Sequence, residues 1–67
     1  SMIYDAYTAT AGQTSFTTTN SYTANKIQIS VNGVILVNGV DCTVSGGTTF
    51  TTLALALNDR VLAIYPI

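Results

Sequence analysis

Sixty-seven residues carry two basic and three acidic side chains, one cysteine and no histidine. A chain of that size makes one domain at most, and a single cysteine excludes an internal disulfide. Lys26 and Arg60 are too few to neutralise a phosphate backbone or an anionic lipid surface, so nucleic acid is not an expected partner. The longest apolar run, Leu53 to Leu57, is far too short to span a bilayer, so no membrane insertion is expected either.

Ser1-Met2 reads as an expression-tag remnant, which leaves residues 3–67 as a single domain. Ile3 to Thr10, rich in Tyr and Thr, predicts a first strand. Ala11-Gly12-Gln13 is a turn signal, and Thr14 to Thr18 a short second strand anchored by Phe16. Turn and loop formers surround Tyr22 in Thr19 to Asn25, which predicts a loop.

Lys26 to Asp41, KIQISVNGVILVNGVD, is the stretch around which the rest is arranged. Asn32-Gly33 between two apolar runs is a hairpin signal, because both central residues of a type I′ turn need φ > 0. A two-residue turn places Val31 opposite Val34, Ser30 opposite Ile35, Ile29 opposite Leu36 and Gln28 opposite Val37. By strand alternation Ile27, Ile29, Val31, Val34 and Leu36 then share one face. Gln28, Ser30, Ile35 and Val37 share the other.

Asn38-Gly39 is a second turn or bulge before Val40 to Ser45. Gly46-Gly47 as a two-residue turn pairs Val44 with Thr49, Thr43 with Phe50 and Cys42 with Thr51. Leu53 to Leu57 is too short to hold itself as a helix, so a loop or single turn that drops leucines into the core is expected. Asn58-Asp59 turns the chain into a final strand, Arg60 to Tyr65, which Pro66 stops. Six or seven short strands with no helix describe an all-β fold, a small antiparallel sandwich or barrel.

The residues that could carry chemistry are few. Asp41 and Asp59 follow turn formers, where a carboxylate accepts backbone N–H bonds, and neither has a base, nucleophile or metal-binding neighbour in sequence. Cys42 has no histidine to activate it and reads as a small buried residue. One cysteine with scattered aspartates makes no zinc site. No catalytic residue, metal or cofactor is expected. Twelve threonines raise the thought of an ice-binding array, but Thr8/Thr10, Thr17/Thr19 and Thr49/Thr51 lack a common period, and threonine favours strands in any case. Most of the four tyrosines are expected in the core, with Tyr22 on its loop left, beside Asn20 and Asn25, as the contact residue of an alternative reading, a carbohydrate-binding module for host-surface glycans. Ile35, Val37, Leu62 and Ile64 put apolar residues on both faces of their strands, which an isolated two-layer domain cannot bury twice. Either the Thr19–Asn25 or the Leu53–Leu57 segment covers that face, or it is a subunit interface.

The order of motifs resembles a small β-domain that recurs in tail-fibre and appendage proteins of tailed bacteriophages. The residues that carry the likeness are Thr10-Ala11-Gly12-Gln13-Thr14-Ser15-Phe16, Ile29-Ser30-Val31-Asn32-Gly33-Val34-Ile35-Leu36, Gly39-Val40-Asp41-Cys42-Thr43, Gly47-Thr48-Thr49 and Asn58-Asp59-Arg60-Val61. Departures are Cys42 where Tyr is usual, Asn38 where Pro is frequent before Gly39, and Asn58 for Gly. The resemblance implies a non-enzymatic structural module of the virion, located in a tail or capsid appendage. It also implies assembly as a homo-oligomer, most often a trimer, or with other virion proteins.

Overall fold

The computed structural model describes residues 1–67 as an all-β protein, two antiparallel sheets packed face to face as a small sandwich. The strands are β1 (Met2–Thr8), β2 (Ser15–Tyr22), β3 (Gln28–Val31), β4 (Val34–Ile35), β5 (Cys42–Val44), β6 (Gly47–Thr52) and β7 (Arg60–Pro66). One turn of 3-10 helix, Ala24–Lys26, links β2 to β3. The larger sheet has the order β1-β7-β3-β4 and the smaller β2-β6-β5.

Period-two alternation builds the core. From the larger sheet Ile29, Val61, Ala63 and Tyr65 point inward and are buried, with Ile3, Tyr7 and Val31 packed beside them. Phe16, Tyr22, Cys42, Val44 and Phe50 meet them from the smaller sheet. Phe16 and Phe50 stack at 5.2 Å between centroids, and Tyr7 sets its edge against both rings.

The Asn32-Gly33 turn forms with φ of 51° and 84°, the left-handed pair that a type I′ turn requires. Val31 pairs with Val34 and Ser30 with Ile35, as the turn predicts. Beyond Ile35 the hairpin stops short. Leu36 N–H still donates to the Ile29 carbonyl, but Val37 N–H is taken at 2.6 Å by Oδ1 of Asp41. Val37 therefore does not pair with Gln28.

Three further expectations need correction. The β5–β6 hairpin is shifted by one residue from the Gly46-Gly47 reading: Cys42 pairs with Thr52, Thr43 with Thr51 and Val44 with Phe50. This register sets Cys42, Val44, Phe50 and Thr52 on the buried face together, whereas a slip of one would oppose Phe50 to outward-facing Thr43. The second strand runs on to Tyr22, with an irregularity between Thr17 and Tyr22 where pairing to β6 is interrupted. Of the leucines in Leu53–Leu57, only Leu55 packs against the core; Leu53 and Leu57 are exposed. The first strand begins at Met2, which lies opposite Pro66.

Candidate interaction face

The outward side of the four-stranded sheet is its apolar surface. The register aligns Tyr4 with Ile64 and Gln28 across three strands, and Ala6 with Leu62, Ser30 and Ile35 across four. Tyr4 is 65% exposed, Ile35 58% and Met2 50%, while Leu62 and Ile64 are half-buried by their neighbours. Arg60 at one end is the only charged side chain on these strands' outward positions. A shallow depression of about 250 Å³ lies between Ala6, Ser30, Gly33, Arg60 and Leu62.

Of the four residues singled out as an interface, Ile35, Leu62 and Ile64 share this face. Val37 is exposed but sits on the turn that Asp41 holds, outside the ladder. Met2, Tyr4 and Ala6 of β1 belong to the same face, so that Tyr4 is not among the tyrosines that enter the core. The signal for them was the alternation along β1, where Ile3, Asp5 and Tyr7 turn inward. Neither of the segments offered as a cover shields this face from solvent.

The opposite outer face is hydroxylic. Ser15, Thr51 and Thr43 form one rank across β2, β6 and β5, and Thr17 and Thr49 a second. All five are exposed. Thr19 is not part of that array, because the irregularity in β2 turns its backbone N–H and hydroxyl to Asp5 at 3.0 and 2.8 Å.

Tyr22 is not a surface contact. It is 5% exposed, its Oη donates to the Thr49 carbonyl at 2.6 Å, and it accepts from Ser45 N–H. Asn20 is half-buried, with its N–H donating to Tyr65 Oη at 3.1 Å; Asn25 is exposed on the 3-10 turn. The three residues proposed to touch a glycan thus include a buried ring, which removes the aromatic platform.

The acidic residues work as backbone acceptors. Asp59 Oδ2 receives Ala56 N–H and Oδ1 the Asn32 side-chain amide, whose own Oδ1 receives Arg60 N–H. These bonds hold the Asp59 carboxyl below its usual range, Asn32 first, then Ala56, against a small opposing effect of burial. Asp5 faces inward between the sheets. Burial alone would raise it, but Tyr65 Oη at 2.6 Å and the two Thr19 donors outweigh that and lower it. Burial, and then the charge of Asp41, push the Cys42 thiol up, so it stays protonated at neutral pH. Gly47 and Gly39 both take positive φ, 74° and 86°, in their turns.

The geometry defines a small β-sandwich with one apolar and one hydroxylic outer face. Compared with protein-family models, curated proteins and solved structures, the chain matches none.

Proposed function

We propose that this chain is a non-enzymatic assembly module of a phage virion fibre or tail appendage, associating with copies of itself through the outer face of the four-stranded sheet. The single observation that carries the reading is that face: Met2, Tyr4, Ala6, Ile35, Leu62 and Ile64 lie together with no segment of the chain over them. A contiguous apolar patch on a small protein marks an interaction site. The motif order that resembles appendage β-domains supplies the setting, and a fold with no histidine and a protonated thiol offers no activated nucleophile.

The four strands, seven, seven, four and two residues long and about 4.8 Å apart, present roughly 300 Å². A stable interface takes about 800 Å² from each partner. The face alone supplies less than half of that, which favours a cyclic assembly in which each copy contributes two patches, with exposed Val40 and Leu53 beside the small depression at Cys42 as the second. A trimer fits this arrangement.

Sedimentation equilibrium over a wide concentration range tests the reading. The expected result is a concentration-dependent oligomer that Ile64→Lys or Leu62→Lys converts to monomer while the circular dichroism of the fold is kept. A clean monomer of the unaltered chain at millimolar concentration removes it.

A further inference from the structure

A sandwich of two open sheets has four free strand edges, and each exposes backbone groups that invite another strand. Two of them are blocked here by named contacts, and a third is too short to offer a row of free groups. Along β2, the free carbonyls of Ser15 and Thr17 accept from Gln13 Nε2 at 3.0 Å and Tyr7 Oη at 2.9 Å. Further along, Thr19 N–H goes to Asp5 and Asn20 N–H to Tyr65 Oη. On β5, Gly39 N–H covers the Cys42 carbonyl, and Asn38 Oδ1 takes Val44 N–H at 3.0 Å. β4 is two residues long and runs straight into the turn held by Asp41.

β1 is the exception. The bonds that close its ladder with β7, Ile67 N–H to the Ser1 carbonyl and Ala9 N–H to the Asp59 carbonyl, fix the parity. Odd-numbered residues exchange bonds with β7, so the N–H and C=O of Met2, Tyr4, Ala6 and Thr8 point away from the sheet. No side chain or loop meets any of them. The same residues carry their side chains on the apolar outer face, and none is charged.

We infer that this edge is a strand-addition site whose occupant is β1 of a second copy, paired antiparallel about a two-fold axis. The choice of a second copy rests on the self-association reading above and on the strand's self-complementarity. A second β1 offers the same row of free groups at the same spacing. It brings its own Met2, Tyr4 and Ala6 to the same side, which extends the apolar face without a break. The two strands meet without like charges on that face. A register centred on Asp5 would oppose the two carboxylates, so the axis falls on Tyr4 or Ala6. Such a contact is separate from face packing. On its own it makes a dimer through a continuous eight-stranded sheet; with a threefold face contact it joins trimers in pairs.

Amide hydrogen exchange at single-residue resolution reads the contact directly. In dilute protein the Ile3, Asp5 and Tyr7 amides are protected by β7, and those of Tyr4 and Ala6 exchange freely. At concentrations where sedimentation shows association, the Tyr4 and Ala6 amides slow by about tenfold or more. Ala6→Pro removes an edge donor without touching the β7 ladder, and it abolishes that protection while the Val61 and Ala63 amides remain slow. Should proline disturb β1, N-methylation of the Ala6 amide by chemical synthesis makes the same deletion. Free exchange at Tyr4 and Ala6 in fully associated protein overturns the inference and leaves face association standing. Protection at those amides that survives Ile64→Lys supports the edge and tells against the face. A monomer at every concentration overturns both.

Discussion

A carboxylate turned into a sandwich this thin is tolerated only if polar hydrogens surround it. Asp5 has three, from Tyr65 Oη, Thr19 N–H and Thr19 Oγ1, and through them it ties β1 and β7 of one sheet to β2 of the other. Asp5→Asn at neutral pH sets an amide nitrogen against at least one of these donors, and costs about 1–3 kcal/mol by denaturant unfolding. Its folded pKa lies below the ordinary 3.8, so its contribution is complete above that value and is lost as pH falls through the lower folded one. Asp59, lowered too, adds to the same acid limb. The acid titration of stability should therefore be shallower, though not flat, in Asp5→Asn. Tyr7 works at the alkaline end. Burial, then the charges of Asp5 and Tyr65, push its hydroxyl from 10.0 up to about 12. A raised pKa of this kind stabilises the fold below pH 10 and is lost as pH rises from 10 through about 12. Ultraviolet titration should show a step near pH 12 that Tyr7→Phe removes, while the substitution costs about 1 kcal/mol for the bond to the Thr17 carbonyl.

At the level of strands, turn chemistry was legible and long-range capture was not. Asn32-Gly33 with apolar alternation on either side was enough to read the hairpin register at Val31/Val34 and Ser30/Ile35 and, with it, the outward parity of Ile35. Two adjacent glycines misled at β5–β6, because Gly47 is already strand, opposite Tyr22, and Ser45 N–H is held by the Tyr22 hydroxyl rather than by a tight turn. Tyr22 itself was hidden by its turn-forming neighbours; the clue was the period-two series Phe16, Thr18, Tyr22, all buried. Local propensity cannot show that Asp5 and Tyr65, far away in sequence, will satisfy the N–H groups that the break in β2 sets free. Asn38 illustrates the same limit. It stands where the resembling domains often carry proline, and here its side chain caps the half-buried Val44 N–H at the edge of β5. Asn38→Ala should destabilise by about 1–3 kcal/mol through that unpaired donor. Amide exchange at Val44 should quicken with it, and an unchanged Val44 would show that the cap is dispensable.

Across the whole molecule the two outer faces differ in kind, and the difference predicts how the proposed association should respond to solution conditions. Hydroxyls of Ser15, Thr17, Thr43, Thr49 and Thr51 cover one side, which water solvates well. Apolar side chains predominate on the other, with Gln28, Ser30 and Arg60 among them, and the entire chain carries a formal charge of only −1. An interface between such faces contains almost no charge to screen, so raising salt from low ionic strength to physiological values should leave the association constant within about a factor of two. Sulfate, which is excluded from apolar surface, should strengthen it, and cooling should weaken it as the hydrophobic driving force declines. The thermal midpoint should rise with protein concentration, because only the folded chain presents the paired face. Association that collapses with added sodium chloride would place the contact on the few charged residues instead, with Arg60 at the end of the sheet the first candidate, and would turn attention from the centre of the apolar face to its rim.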